Sequence, residues 1–148
     1  MAKDKNKKSL IKKICVLIFF IFFVNLLAMK FYWYFSIWWF DMFVHLLGGL
    51  FISLLIFWIY YYSGLIKNKK NYNKKFIILL SALGVLVIGI FWEIFEFNIS
   101  VFITHTPQVI LDIASDLFFG VCGSFVGSLY FFIRLYPQKN QELGEFKV

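Results

Sequence analysis

The stretch FIILLSALGVLVIGIFWEIFEF, residues 76–97, decides the fold. Its first seventeen positions carry no charge and no alternation of polar with apolar residues. About 20 apolar residues are what a helix needs to cross a bilayer. A transmembrane barrel strand would be shorter and would alternate. The run is therefore read as a membrane-spanning helix. It closes on two acids, Glu93 and Glu96, three residues apart and so on one side of a helix.

Three more runs of the same kind lie outward from it. The four expected spans are residues 10–29, 40–62, 76–97 and 109–133. The fold class that follows is an all-α membrane protein, a bundle of four transmembrane helices within residues 14–135. Residues 1–13 form a basic tail and residues 136–148 a second polar tail. The 148-residue chain is 61% apolar and 23% aromatic, against about 45–50% apolar for soluble domains. Its mean hydropathy is +0.79. So short a soluble chain could not bury that much apolar surface.

The formal charge of +7 is concentrated in two blocks, residues 3–13 and 67–75. Both blocks flank spans, so they read as orientation signals rather than as a nucleic-acid surface. Contact with anionic headgroups of membrane lipids would be a by-product. Fourteen Lys and Arg residues fall in the N-terminal tail, the loop between spans two and three, and the C-terminal tail; only Lys30 falls on the other side. Both termini are therefore expected in the cytoplasm, in a multi-pass protein of the cytoplasmic (inner) membrane. The first span, with its basic flank, lacks a small residue at Leu26, three before the best cleavage point. It is read as an uncleaved helix. The aromatic run around Trp33, Trp38 and Trp39 reads as an outer interfacial belt, and Tyr60, Tyr61 and Tyr62 as an inner one. Cys15 and Cys122 belong to no CxxC or Cys/His set and read as buried small hydrophobes.

This topology brings six ionisable residues to one level, near the outer face. They form three pairs: Asp41/His45, Glu93/Glu96 and Asp112/Asp116. Residues four apart on a helix differ by about 40° in direction and about 6 Å in height, so each pair can face one way. An ionisable residue in a span is costly and marks function by default. Acids at a helix start, such as Asp41 and Asp112, can also serve the helix dipole. That does not account for Glu93, Glu96 or Asp116. Five acids with no fixed cation beside them must protonate, reach water or bind a cation. Carboxylates with one or two imidazoles, His45 and the loop residue His105, suit Zn²⁺, Mn²⁺ or Fe²⁺; an all-oxygen subset suits Mg²⁺ or Ca²⁺. The expected metal ligands are Asp41, His45, Glu93, Glu96, Asp112 and Asp116.

Small residues occur beneath the acids. Gly123-x-x-x-Gly127, Ser124-x-x-x-Ser128 and Gly48-Gly49 predict a close approach of spans two and four. Span one has only Asn25 as a strongly polar residue within its length and reads as a structural helix.

The motifs Asp41-x-x-x-His45-x-x-Gly48, Glu93-x-x-Glu96 and Asp112-x-x-x-Asp116-x-x-x-Gly120 resemble those of the small inner-membrane proteins typified by YjdF. The likeness covers about residues 41–127. The wider VanZ-like group is similar, with amides where Glu96 and Asp116 stand. Leu111 occupies a place where the first group carries Trp. The resemblance implies a membrane protein with a site built from these three motifs. The VanZ name adds an association with glycopeptide resistance and no substrate.

The leading function expected from the sequence is an outer-face carboxylate/His site. It would bind a divalent metal ion and act on, or recognise, an envelope lipid or lipid-linked molecule. The alternatives are a component of a proton or cation transporter and a non-catalytic membrane scaffold. Against transport, the acids stop in the outer half. Only Ser53 and Ser81 lie in the inner parts of spans two and three.

Overall fold

The structure is a computed structural model describing residues 2–63, 74–99 and 107–134. Among the described residues it is all-helical, with no strand. The elements are α1 (Ala2–Phe31), the short α2 (Trp33–Ser36), α3 (Phe40–Tyr62), α4 (Lys74–Ile99) and α5 (Pro107–Arg134). Among the described residues, four helices are long and apolar enough to span a membrane: Asn6–Phe31, Phe40–Tyr62, Lys74–Glu96 and Ile110–Arg134. His105 lies outside the described residues.

The helix boundaries follow local chemistry. α1 starts at Ala2, so residues 2–13 of the basic tail are helical and continuous with the first span. No Gly or Pro interrupts residues 2–31, and lysine is a good helix former. α1 ends where Tyr32 takes a left-handed conformation, φ 57°. α2 begins at the next residue, Trp33. α5 starts at Pro107, which lacks the amide that a first helical turn leaves unpaired anyway.

α3 packs most extensively on α5; α4 lies against both, and α1 touches α3 and α2. The intimacy of α3 and α5 comes from glycine. A methyl on Gly123 would fall 2.0 Å from the Leu46 carbonyl oxygen, and one on Gly127 would fall 2.7 Å from Ser53 Oγ. Ser53 and Ser128 both donate to the Ser124 carbonyl, at 3.1 and 2.8 Å. The expected close approach of spans two and four is thus met by Gly49, Gly120, Gly123 and Gly127. Gly48, by contrast, faces open space: a methyl there would have nothing within 4 Å.

The densest apolar core lies at the end away from the acids. Leu10 and Ile14 of α1, Leu54 and Phe57 of α3, Ile77 of α4 and Phe131 of α5 are all buried there. Phe131 stacks on Phe57 at 4.7 Å and on Tyr61 at 5.0 Å between centroids. Tyr60, Tyr61 and Tyr62 are buried in this cluster, so they pack inward instead of forming an interfacial belt. Long amphipathic rings at a helix end can serve either purpose, and here α1 and α5 cover them. Cys15 corrects another expectation: it is exposed on α1, while Cys122 is half-buried. In a span, exposure means contact with hydrocarbon, which a thiol tolerates well.

Candidate functional site

α3 and α5 start at the same end of the bundle, and α4 finishes there. The first turns of α3 supply Asp41 and His45, the last turns of α4 supply Glu93 and Glu96, and the second and third turns of α5 supply Asp112 and Asp116. The glycine contacts between α3 and α5 lie directly below, so the backbones that carry these groups are held at short range. Gly120, one turn from Asp116, would place a methyl 3.9 Å from the His45 carbonyl oxygen.

His45 is the hub. Its Nε2 lies 3.6 Å from Asp41 Oδ1, 3.9 Å from Asp116 Oδ2 and 4.0 Å from Glu93 Oε1. All three separations exceed hydrogen-bonding distance. The imidazole therefore faces three carboxylates from three helices without bonding directly to any of them. Two overlapping sets have ligand atoms mutually within 4.8 Å: Asp41, His45 and Asp116, and His45, Glu93 and Glu96.

Burial grades the site from floor to mouth. The Asp116 side chain is 4% exposed and that of Asp41 32%. Glu96 and Asp112 are exposed. Glu96 Oε2 accepts a 3.1 Å hydrogen bond from Trp92 Nε1. Ser115 Oγ donates to the Asp112 carbonyl at 2.7 Å and stands 3.4 Å from Asp116 Oδ1. Glu93 Oε1 is buried and has no hydrogen-bond partner. Among the described residues, the only ion-pair partner of these acids is His45.

Five of the six sequence-derived residues fall into these two sets, which share His45. Asp112 does not belong to either ligand set. It sits one turn nearer the helix start than Asp116, on the exposed rim.

Tyr34 was not legible as a site residue. It belongs to α2, where aromatic residues read as an interfacial belt. In the structure its hydroxyl donates to Asn25 Oδ1 of α1, and its ring meets Phe40 edge-on at 5.0 Å. Burial, with the carboxylates of Asp41 and Glu96 nearby, pushes the Tyr34 phenol up to about 12. Trp33 meets the same Phe40 edge-on at 5.5 Å. Together they hold α2 against the start of α3, beside the mouth of the site. Asn25, which also donates to the Ile21 carbonyl at 2.9 Å, makes α1 the anchor of this cap. The signal available in the sequence was the pairing of one amide in an otherwise apolar span with a nearby aromatic hydroxyl.

Comparison with known proteins gives a family and no closer relative. Residues 1–136 match a family described as predicted membrane protein (DUF2238), and the chain belongs to that family. No curated protein and no solved structure matches it.

Proposed function

Starting from a member of a membrane-protein family with a carboxylate/His cluster at one end of its bundle, we propose that the protein binds one divalent cation there. His45, Asp41 and Asp116 are its ligands, with Glu93 and Glu96 in the second set that shares His45. The observation that carries this reading is the spacing around His45. The carboxylate oxygens of Asp41, Asp116 and Glu93 stand 3.6, 3.9 and 4.0 Å from His45 Nε2, too distant to bond to it directly. Within the set Asp41, His45 and Asp116 the ligand atoms lie within 4.8 Å of one another, close enough for one ion to bridge them. The mixed imidazole and carboxylate set favours a transition-metal ion or Zn²⁺ over Mg²⁺.

The cation serves an envelope lipid or lipid-linked molecule. The lysine distribution supports cytoplasmic termini and a site at the outer leaflet of the cytoplasmic membrane. At that depth a bound ion would polarise a polar headgroup or activate water next to it, with a carboxylate taking the proton. The motifs that resemble those of the YjdF-typified group supply the residues of both sets around His45, with Asp112 on the rim.

The test is elemental analysis of the purified protein, with Asp116→Asn and His45→Ala beside it. Wild type should carry about one divalent ion per chain, and each variant should lose most of it, since removing one ligand of a small set typically weakens binding severely. Equal, negligible metal in all three would remove the reading.

A further inference from the structure

Below the acid cluster, Ser53 of α3, Ser81 of α4 and Ser124 of α5 sit near the middle of their spans, at 0%, 0% and 1% exposure. The register of α4 against α5 brings them to one level. A methyl at Gly89 would lie 2.8 Å from Leu117 Cδ2, and one at Gly120 would lie 3.5 Å from Val85 Cγ1. The two helices run in opposite directions, so one further turn inward sets Ser81 opposite Ser124. Ser53 reaches the same turn of α5 from the other side, donating to the Ser124 carbonyl at 3.1 Å. Asp116 lies eight residues outward of Ser124, about 12 Å along the helix. On the inner side Phe57 stacks on Phe131 at 4.7 Å, with Ile77 in the same apolar cluster.

Two of the three hydroxyls have nothing to bond. A serine within a helix commonly donates to the carbonyl one turn back. Ser128 does so, to Ser124 at 2.8 Å. Ser81 Oγ and Ser124 Oγ do not: both atoms are buried, and neither has a hydrogen-bond partner among the described residues. At this depth a bilayer supplies no solvent to satisfy them, and a buried hydroxyl left unbonded is costly.

We propose that one water molecule is bound between Ser81 and Ser124, with Ser53 as its third partner. The water accepts from the Ser81 and Ser124 hydroxyls and donates to Ser53 Oγ, whose own proton is committed to the Ser124 carbonyl. Three hydrogen bonds are about the usual number for a buried water. The same donor set is wrong for a cation, since no carboxylate stands at this level to balance its charge. An apolar filler would leave both hydroxyls unbonded. The interior of the bundle is therefore wet for one level beneath the acids and dry beyond the Phe57–Phe131 stack. This site is separate from the acid cluster and does not depend on a cation there.

The test is water-edited solid-state NMR of the full-length protein in bilayers, with serine and isoleucine labelled and sequentially assigned. Magnetisation from water should reach the Ser81 and Ser124 side chains and should not reach Ile77, one turn inward on α4. Melting temperatures give a second readout. Ser81→Ala and Ser124→Ala should each lower the melting temperature by about 2–4 °C, the loss of roughly one hydrogen bond. The double variant should fall by less than the sum of the two, because one water serves both hydroxyls. Ser81→Ala combined with Ser128→Ala should be additive, since Ser128 bonds its own helix. Lack of water transfer to Ser81 and Ser124 overturns the proposal. So does full additivity of Ser81→Ala with Ser124→Ala, which would assign each hydroxyl to a carbonyl of its own helix. If the variants fail to fold, the wild-type spectrum decides alone.

Discussion

Gly49 of α3 and Gly120 of α5 meet backbone to backbone: a methyl on Gly49 would fall 1.9 Å from the Gly120 carbonyl oxygen. Gly49→Ala therefore forces the two helices apart, because the obstacle is main chain and cannot rotate away. Overpacking of this kind costs about 1–3 kcal/mol. Gly48→Ala, one residue away, meets nothing and should be neutral or stabilising by up to about 1 kcal/mol through helix propensity. Thermal melts in detergent should fall for Gly49→Ala and hold or rise for Gly48→Ala. Equal shifts would mean that α3 and α5 do not approach at this point.

The second prediction concerns what balances the acids. If a metal does, chelator and Asp116→Asn should each lower the melting temperature. A ligand at a hundredfold excess over its dissociation constant stabilises a fold by about 2.7 kcal/mol. If protons balance the charge instead, Asp116→Asn should raise the melting temperature, since it removes a buried group that had to be neutralised. The sign of one shift separates the accounts. No shift, with no metal and intact function, favours a scaffold.

Tyr34 should titrate late. A phenol that ionises at about 12 when folded and at 10 when unfolded binds its proton longer in the folded state. The stability it contributes is present below pH 10 and is lost as pH rises from there through about 12. Difference absorbance of wild type against Tyr34→Phe should show a single late tyrosine step. A step near pH 10 would mean that α2 does not cover the Asp41 and Glu96 carboxylates.

Orientation can be read by labelling. In a cysteine-free background, Thr104→Cys should react with an impermeant thiol reagent in intact cells, and Asn71→Cys should not. The reverse pattern places the acid cluster at the cytoplasmic face.

The four spans were readable because a bilayer permits few alternatives: an uncharged run of this length has little choice but a helix. Asp41/His45, Glu93/Glu96 and Asp112/Asp116 were readable because helical spacing fixes direction within each pair. Spacing alone could not tell Asp112 from Asp116, since one turn along α5 is the distance between rim and floor. Nor could it find Tyr34. Its place depends on the left-handed turn at Tyr32, which nothing in an aromatic run announces for a residue other than glycine. The burial of Tyr60–Tyr62 escaped for a similar reason, because it depends on where α1 and α5 come to rest.

The strongest helix pair, α3 with α5, joins segments separated by the whole of α4. During synthesis α3 and α4 emerge first and carry Asp41, His45, Glu93 and Glu96. Asp116, the most buried of the acids in the cluster, arrives with α5. The cluster is thus completed only when α5 inserts. A chain stalled or cleaved before α5 would hold an incomplete, uncompensated polar face toward lipid, a defect that membrane quality control can recognise.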